Sequence, residues 1–267
     1  MWGPIVPKDT DALKKLNESG YPLQIAVEHQ VKTSVTRNGW SVRHTEHAWT
    51  NGDESGFIDL VLQDKQSSML VVECKRTKAT WLFMGPAGYA KPRRHAKAWV
   101  TAWESGATKV FEWRDIAIDP NCSETLFCTV QGQASNDKRP MLERIGGELI
   151  SATEALAKEE KDFHRQRMLP MYRFYFDVLV TTAEIKVAHF EPGEISLENG
   201  MLADADFQTL PYLKFRKQMA MRERLFTRED FENGVDPADA KENTLFVVNA
   251  ASLLDFLNAF ELPDGPM

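Results

Sequence analysis

The amino-acid sequence predicts an α/β fold, with a mixed central sheet flanked by helices and a C-terminal α+β elaboration. Three observations lead there. Two apolar runs, residues 57–62 and 69–75, are joined by a polar, turn-prone stretch and read as an antiparallel hairpin. A helix-like segment, Leu23 to Asn38, precedes them. A long amphipathic segment, Met141 to Arg167, runs into the buried-strand candidate Phe174 to Thr181.

In the first segment Pro22 suits an opening helical turn and Asn38-Gly39 is a stop signal. Val27, Val31 and Val35 recur at i, i+4 and i+8 on one face, and Glu28 borders it. Trp40 to Trp49 reads as a first strand, closed by the turn-like Asn51-Gly52-Asp53-Glu54-Ser55-Gly56.

The hairpin carries charge where charge is costly. Asp59 interrupts its first run and Glu73-Cys74-Lys75 end its second. A loop centred near Gln66 places Asp59 opposite Glu73, with Cα atoms roughly 4.5 to 5.5 Å apart. Lys75, two residues on, points to the same side. A buried charge is expensive unless paired or bound to metal. Two carboxylates held that close repel unless a cation lies between them, and hard oxygen donors suit magnesium or manganese. A helix packed on the hairpin would aim Glu28 at the same cluster.

A helix bearing Glu, a strand, a strand bearing Asp and a strand bearing Glu-x-Lys together resemble the PD-(D/E)xK nuclease superfamily, the restriction-endonuclease-like fold, over about residues 20 to 80. Asp59, Glu73 and Lys75 match its motif, and Glu28 matches the helical Glu of many members. Phe57-Ile58 stand where the family often has proline before the Asp. The resemblance implies a magnesium- or manganese-dependent hydrolysis of phosphodiesters in nucleic acid, most readily a DNA endonuclease of restriction, repair or defence. It implies that Asp59, Glu73 and the Cys74 backbone carbonyl hold the metal and that Glu28 helps hold a second ion. Lys75 would orient the attacking water or stabilise charge on the phosphoryl group.

Charge distribution bears on the partner. The net charge of −7 argues against uniform nonspecific binding to nucleic acid. Yet from Lys75 to Lys97 there are seven basic residues and no acid. Arg76, Lys78, Lys91, Arg93, Arg94 and Lys97 are therefore candidate phosphate contacts, with Trp81, Phe83 and Tyr89 available to meet bases. Lys214, Arg216, Lys217, Arg222 and Arg224 form a second basic group. A homodimer or a partner protein is compatible with this reading, although no self-complementary patch is legible.

At 267 residues and 43% hydrophobic content the chain can bury a full core. No uninterrupted apolar run approaches membrane-spanning length, and the first residues lack a basic segment followed by an apolar one, so cytoplasmic residence is expected. Cys74, Cys122 and Cys128 show no Cys-x-x-Cys spacing, which favours neither a disulfide framework nor a zinc ribbon. His44 and His47, three apart on a strand, are expected on opposite faces.

The remaining elements read as support. Phe111 to Ile118 and Leu126 to Gln131 are strand candidates, and Gly146-Gly147 would mark a close backbone approach or a break in the long helix. Residues 1–181 are expected to form the nuclease-like core, with an insertion at about 77–139, and residues 182–267 the elaboration packed on it. Within the latter, Ile185 to Phe190, Ile195 to Leu197, Tyr212 to Phe215 and Leu245 to Val248 read as strands, followed by a helix at Ala251 to Phe260. Asp177, inside an apolar strand, is read as a supporting acid or a salt-bridge partner. The alternative function is a catalytically silent fold of the same kind, acting as a nucleic-acid-binding or assembly module.

Overall fold

A computed structural model describes residues 9–65, 67–87, 95–104, 107–132, 140–164, 171–219, 234 and 237–262. Its centre is a mixed sheet. Strand β2 (Glu54–Gln63) runs antiparallel between β1 (Ser41–Asn51) and β3 (Ser68–Lys75), and β9 (Met171–Thr181) lies parallel to β3. Beyond β9 come β13 (Asn243–Asn249), β12 (Tyr212–Lys217) and β7 (Glu124–Thr125). The hairpin of β5 (His95–Glu104) and β6 (Ala107–Ala117) joins through β5 to β9. A second, four-stranded sheet runs β11 (Asp206–Thr209), β10 (Glu184–Phe190), β4 (Thr80–Pro86), β8 (Phe127–Val130).

Both faces of the main sheet are covered, which is why β3 reads as a continuous apolar run: every residue from Ser68 to Val72 is buried. On one face lies α3 (Met141–His164), whose Leu142, Ile145, Leu149 and Leu156 pack with Val61, Val71 and the second sheet's Trp81 and Phe83. On the other lie α2 (Tyr21–Thr33) and the C-terminal helix Leu253–Ala259, whose Val27, Val31, Phe256 and Leu257 meet Leu60, Leu62 and Val72. A further helix, α1 (Thr10–Glu18), is capped by the Asp9 carboxylate, which accepts from the Ala12 N–H at 2.9 Å.

Several elements differ from expectation. Helix α2 stops at Thr33, because Ser34 turns to extended backbone (φ −98°, ψ 140°), and Val35 is fully exposed instead of continuing the apolar face. Helix α3 carries Gly146-Gly147 without a break. A side chain at Gly146 would collide with the Met219 sulfur, so that glycine serves a close approach. Ile195 to Leu197 is no strand; a 3₁₀ turn at Pro192–Glu194 and one bridge from Ile195 to Leu202 stand there.

The stretch expected as an insertion supplies β4 and β8 to the second sheet and β5 and β6 to the main one. The C-terminal stretch is woven in as well. Strand β13 lies directly beside β9, with Leu245 opposite Asp177 and Val248 opposite Val180, while β10 pairs with β4.

Candidate functional site

The hairpin register sets the geometry. Leu60 faces Val72 and Val61 faces Val71, so continuing the same register brings Asp59 level with Glu73. The β2–β3 ladder stops at Leu60 and Val72, and a side chain takes over from backbone at that point. The Asp59 carboxylate accepts the Cys74 N–H at 2.7 Å. The two strands thus fork around Asp59 and Glu73. A strand residue's N–H and C=O point to one edge, so the Cys74 carbonyl faces the fork too. The Lys75 carbonyl faces the other way and accepts from the Thr181 hydroxyl at 2.8 Å.

Burial and mutual repulsion strain the acids electrostatically. Burial raises the Asp59 carboxyl above its usual range against the Cys74 N–H, and nearby Glu46 adds to the rise. Glu73 is pushed up to about 7, first by burial and then by Asp59, with Glu148 and Glu46 adding like charge. Its carboxylate accepts no hydrogen bond among the described residues. Lys75, half-buried beside them, favours the charged form of both acids, and its ammonium makes no ion pair among the described residues.

Two residues not singled out from the sequence complete the arrangement. Glu46 lies level with Asp59 on the other side, since Thr45 faces Leu60 and His47 faces Ile58. Its φ of 51° is unusual for a side-chain-bearing residue. Gln24 of α2 donates from Nε2 to Glu46 Oε1 at 2.6 Å and to the Asp59 carbonyl at 3.0 Å. The helix therefore reaches the site, but through Gln24. Glu28, one turn later, accepts from Lys32 at 2.5 Å and from the Thr45 hydroxyl at 3.0 Å, and the Lys32 ammonium lowers its carboxyl pKa. The structure does not bring Glu28 to Asp59 and Glu73. The turn Asn51-Gly52-Asp53-Glu54, centred between Gly52 and Asp53, was the signal that could have found Glu46.

Asp59 and Glu73 open into a cleft of about 790 Å³. One wall is the β1–β2 turn and Phe57; the other is the first turns of α3, with Arg144, Gly147 and Glu148. Among the described residues no group of three or more His, Cys, Asp or Glu stands arranged to hold a metal ion.

The basic residues divide sharply. Arg76 and Lys78 are exposed just past β3. Lys97 is only 2% exposed, bonds Asp115 at 2.6 Å and so is not placed to meet a phosphate backbone, a correction to the sequence reading. It was misread because β5 is buried on both faces, where a lysine survives only by pairing. Lys91, Arg93, Arg94, Tyr89, Arg222 and Arg224 lie outside the described residues. Lys214 is fully buried against Glu124 and the His95 carbonyl, Arg216 pairs with Asp115 and Glu242, and Lys217 with Glu143. Trp81 and Phe83 are core, not surface.

His44 and His47 also depart from expectation. Their ring centroids lie 4.7 Å apart, tilted by 30°, as the positive φ at Glu46 between them breaks the strand's alternation. His47 Nε2 lies 2.9 Å from Glu159 on α3. Among the described residues Asp177 has no basic partner. Thr153 donates to its Oδ1 at 2.5 Å, and burial pushes its carboxyl up to about 7. All three cysteines are free thiols. Among the described residues no helix is long and apolar enough to cross a membrane. Neither protein-family models, curated proteins nor solved structures give a match to this chain.

Proposed function

We propose that this chain is a metal-dependent nuclease that hydrolyses phosphodiesters in nucleic acid, with DNA as the first candidate, on a restriction-endonuclease-like fold. One observation carries the reading: the β2–β3 ladder forks so that Asp59 and Glu73 stand level, with Lys75 one alternation further along the same strand.

The donor set fits a hard divalent ion. Asp59, Glu73 and the Cys74 carbonyl would supply three oxygens, and magnesium commonly takes one or two carboxylates with the rest from water and substrate phosphate. Both carboxyls sit above their usual range because they are desolvated beside like charge, which a cation offsets. When bound, such an ion acidifies water and neutralises charge on a phosphoryl group. Asp59 and Glu73 bind it, and the Cys74 N–H fixes the Asp59 carboxylate in place. Gln24 holds the Asp59 carbonyl and Glu46 together, so α2 braces the fork. Lys75, free of ion pairs among the described residues, is available to the phosphoryl oxygens as their charge grows.

The test is cleavage of single-stranded, duplex and supercoiled DNA, and of RNA, with magnesium or manganese. Metal-dependent cutting that is lost in Lys75→Ala, with the far-UV spectrum retained, supports the reading. Cutting that persists in Lys75→Ala and Asp59→Ala sinks it. The second reading, a silent binding or assembly module, draws on the acidity of the cleft and on the internal use of Lys97, Lys214 and Arg216. Binding of nucleic acid or protein with no cutting under any metal condition favours that one.

A further inference from the structure

Phe57 is out of keeping with its strand. It is 64% exposed, while Ile58, Leu60, Val61 and Leu62 after it are essentially sealed from solvent. An exposed aromatic in a strand gains little for folding, and this one lines the same cleft as Asp59, two residues away. Across the cleft, Arg144 is exposed and makes no ion pair among the described residues. Gly147 borders the cleft between these walls. A glycine inside a helix is unfavourable. Gly146 is accounted for by Met219, and Gly147, which lines the cleft, puts no side chain into it.

We infer that Phe57, Arg144 and Gly147 form a subsite for an unpaired nucleotide next to the phosphate being cut, so that the substrate is single-stranded or locally unpaired nucleic acid. This rests on the nuclease reading. The Phe57 ring stacks on the base, the Arg144 guanidinium bonds the adjoining phosphate, and Gly147 gives the sugar room against α3. A base within a duplex has both faces covered by its neighbours and cannot offer one to Phe57. A duplex also presents one charge per roughly 1.7 Å and is gripped by a track of cations. Among the described residues Lys97, Lys214, Arg216 and Lys217 are spent on internal carboxylates, and Glu148 adds negative charge to the cleft. Stacking gives a single strand a hold that needs few cations and no particular base.

The experiment is fluorescence anisotropy with a labelled 12-nucleotide strand and the matching blunt duplex, with magnesium, in a Lys75→Ala background that spares the substrate. Expected is tighter binding of the single strand, weakened about tenfold by Phe57→Ala and retained by Phe57→Tyr, which keeps the ring. Arg144→Ala lowers the salt slope of single-strand binding by about 0.7, the loss of one phosphate contact, and Phe57→Ala leaves that slope unchanged. Equal affinity for the duplex, or no effect of Phe57→Ala on single-strand binding, overturns the subsite. Metal-dependent cutting by the protein with Lys75 intact would then still uphold the nuclease reading. Absence of both binding and cutting with every nucleic acid, while magnesium still raises the melting temperature, overturns the two together.

Discussion

Replacing Glu73 by Gln should make the metal-free protein more stable at neutral and alkaline pH. The Glu73 carboxyl lies at about 7 in the fold against an ordinary 4.5. A carboxyl raised by folding binds its proton more tightly in the native state. Its contribution is therefore fully present below pH 4.5 and is lost as pH climbs through 7. Above both values the charged carboxylate costs the fold about 3 kcal/mol, at 1.36 kcal/mol per pH unit of displacement. At pH 5 the same arithmetic gives about 1 kcal/mol. Glutamine keeps the shape and removes the ionisation. Urea unfolding in chelator at pH 5, 7 and 9 measures the difference between Glu73→Gln and wild type. The gain should grow across that range and reach about 3 kcal/mol at pH 9. A gain independent of pH, or a variant less stable than wild type at pH 9, refutes the electrostatic account of the fork.

Other outcomes follow from the same geometry. Magnesium or manganese should raise the melting temperature of wild type by mass action, with the rise greatly reduced in Asp59→Ala and Glu73→Ala; scanning calorimetry with and without chelator checks it. Lys97→Ala should cost roughly 2 to 3 kcal/mol in urea unfolding, because it deprives Asp115 of one of its two cations inside the fold, and should leave the salt dependence of nucleic-acid binding unchanged. Asp177→Asn keeps an acceptor for Thr153 and removes a carboxyl held near 7, so it should stabilise the protein progressively as pH rises through 7 and have little effect below pH 4. A flat difference between variant and wild type across pH 4 to 9 would count against that placement.

Much of the fork was legible because its cause is local. A polar turn centred on residue 66 fixes the β2–β3 register, and a one-residue slip would invert every side chain on the strand. Applied to the preceding turn, the same reasoning leads to Glu46. What stayed hidden depends on contacts distant in sequence. Nothing local distinguishes Gln24 from Glu28 as the residue reaching Asp59, since both lie on one face of α2 and the choice is set by where β1 crosses that helix. The basic stretch misled for a similar reason. Lys97 looks like a surface charge until Asp115 of β6 pairs with it, the same carboxylate that Arg216 of β12 binds. Strand β4 was missed because Trp81 and Phe83 were taken for surface aromatics beside charges, whereas the second sheet buries them against α3.

The position of β9 has a consequence for when the fork around Asp59 and Glu73 is completed. It is the only described neighbour of β3 on the side away from β2, and it comes about a hundred residues later in the chain, with Val71 beside Asp177. Until those later residues have emerged from the ribosome, Glu73 and Lys75 sit on a strand with one bare edge. Such distant parallel pairing is slow to form. The site therefore closes late in synthesis, and a chain halted before Met171 carries Asp59, Glu73 and Lys75 without the strand that completes their sheet.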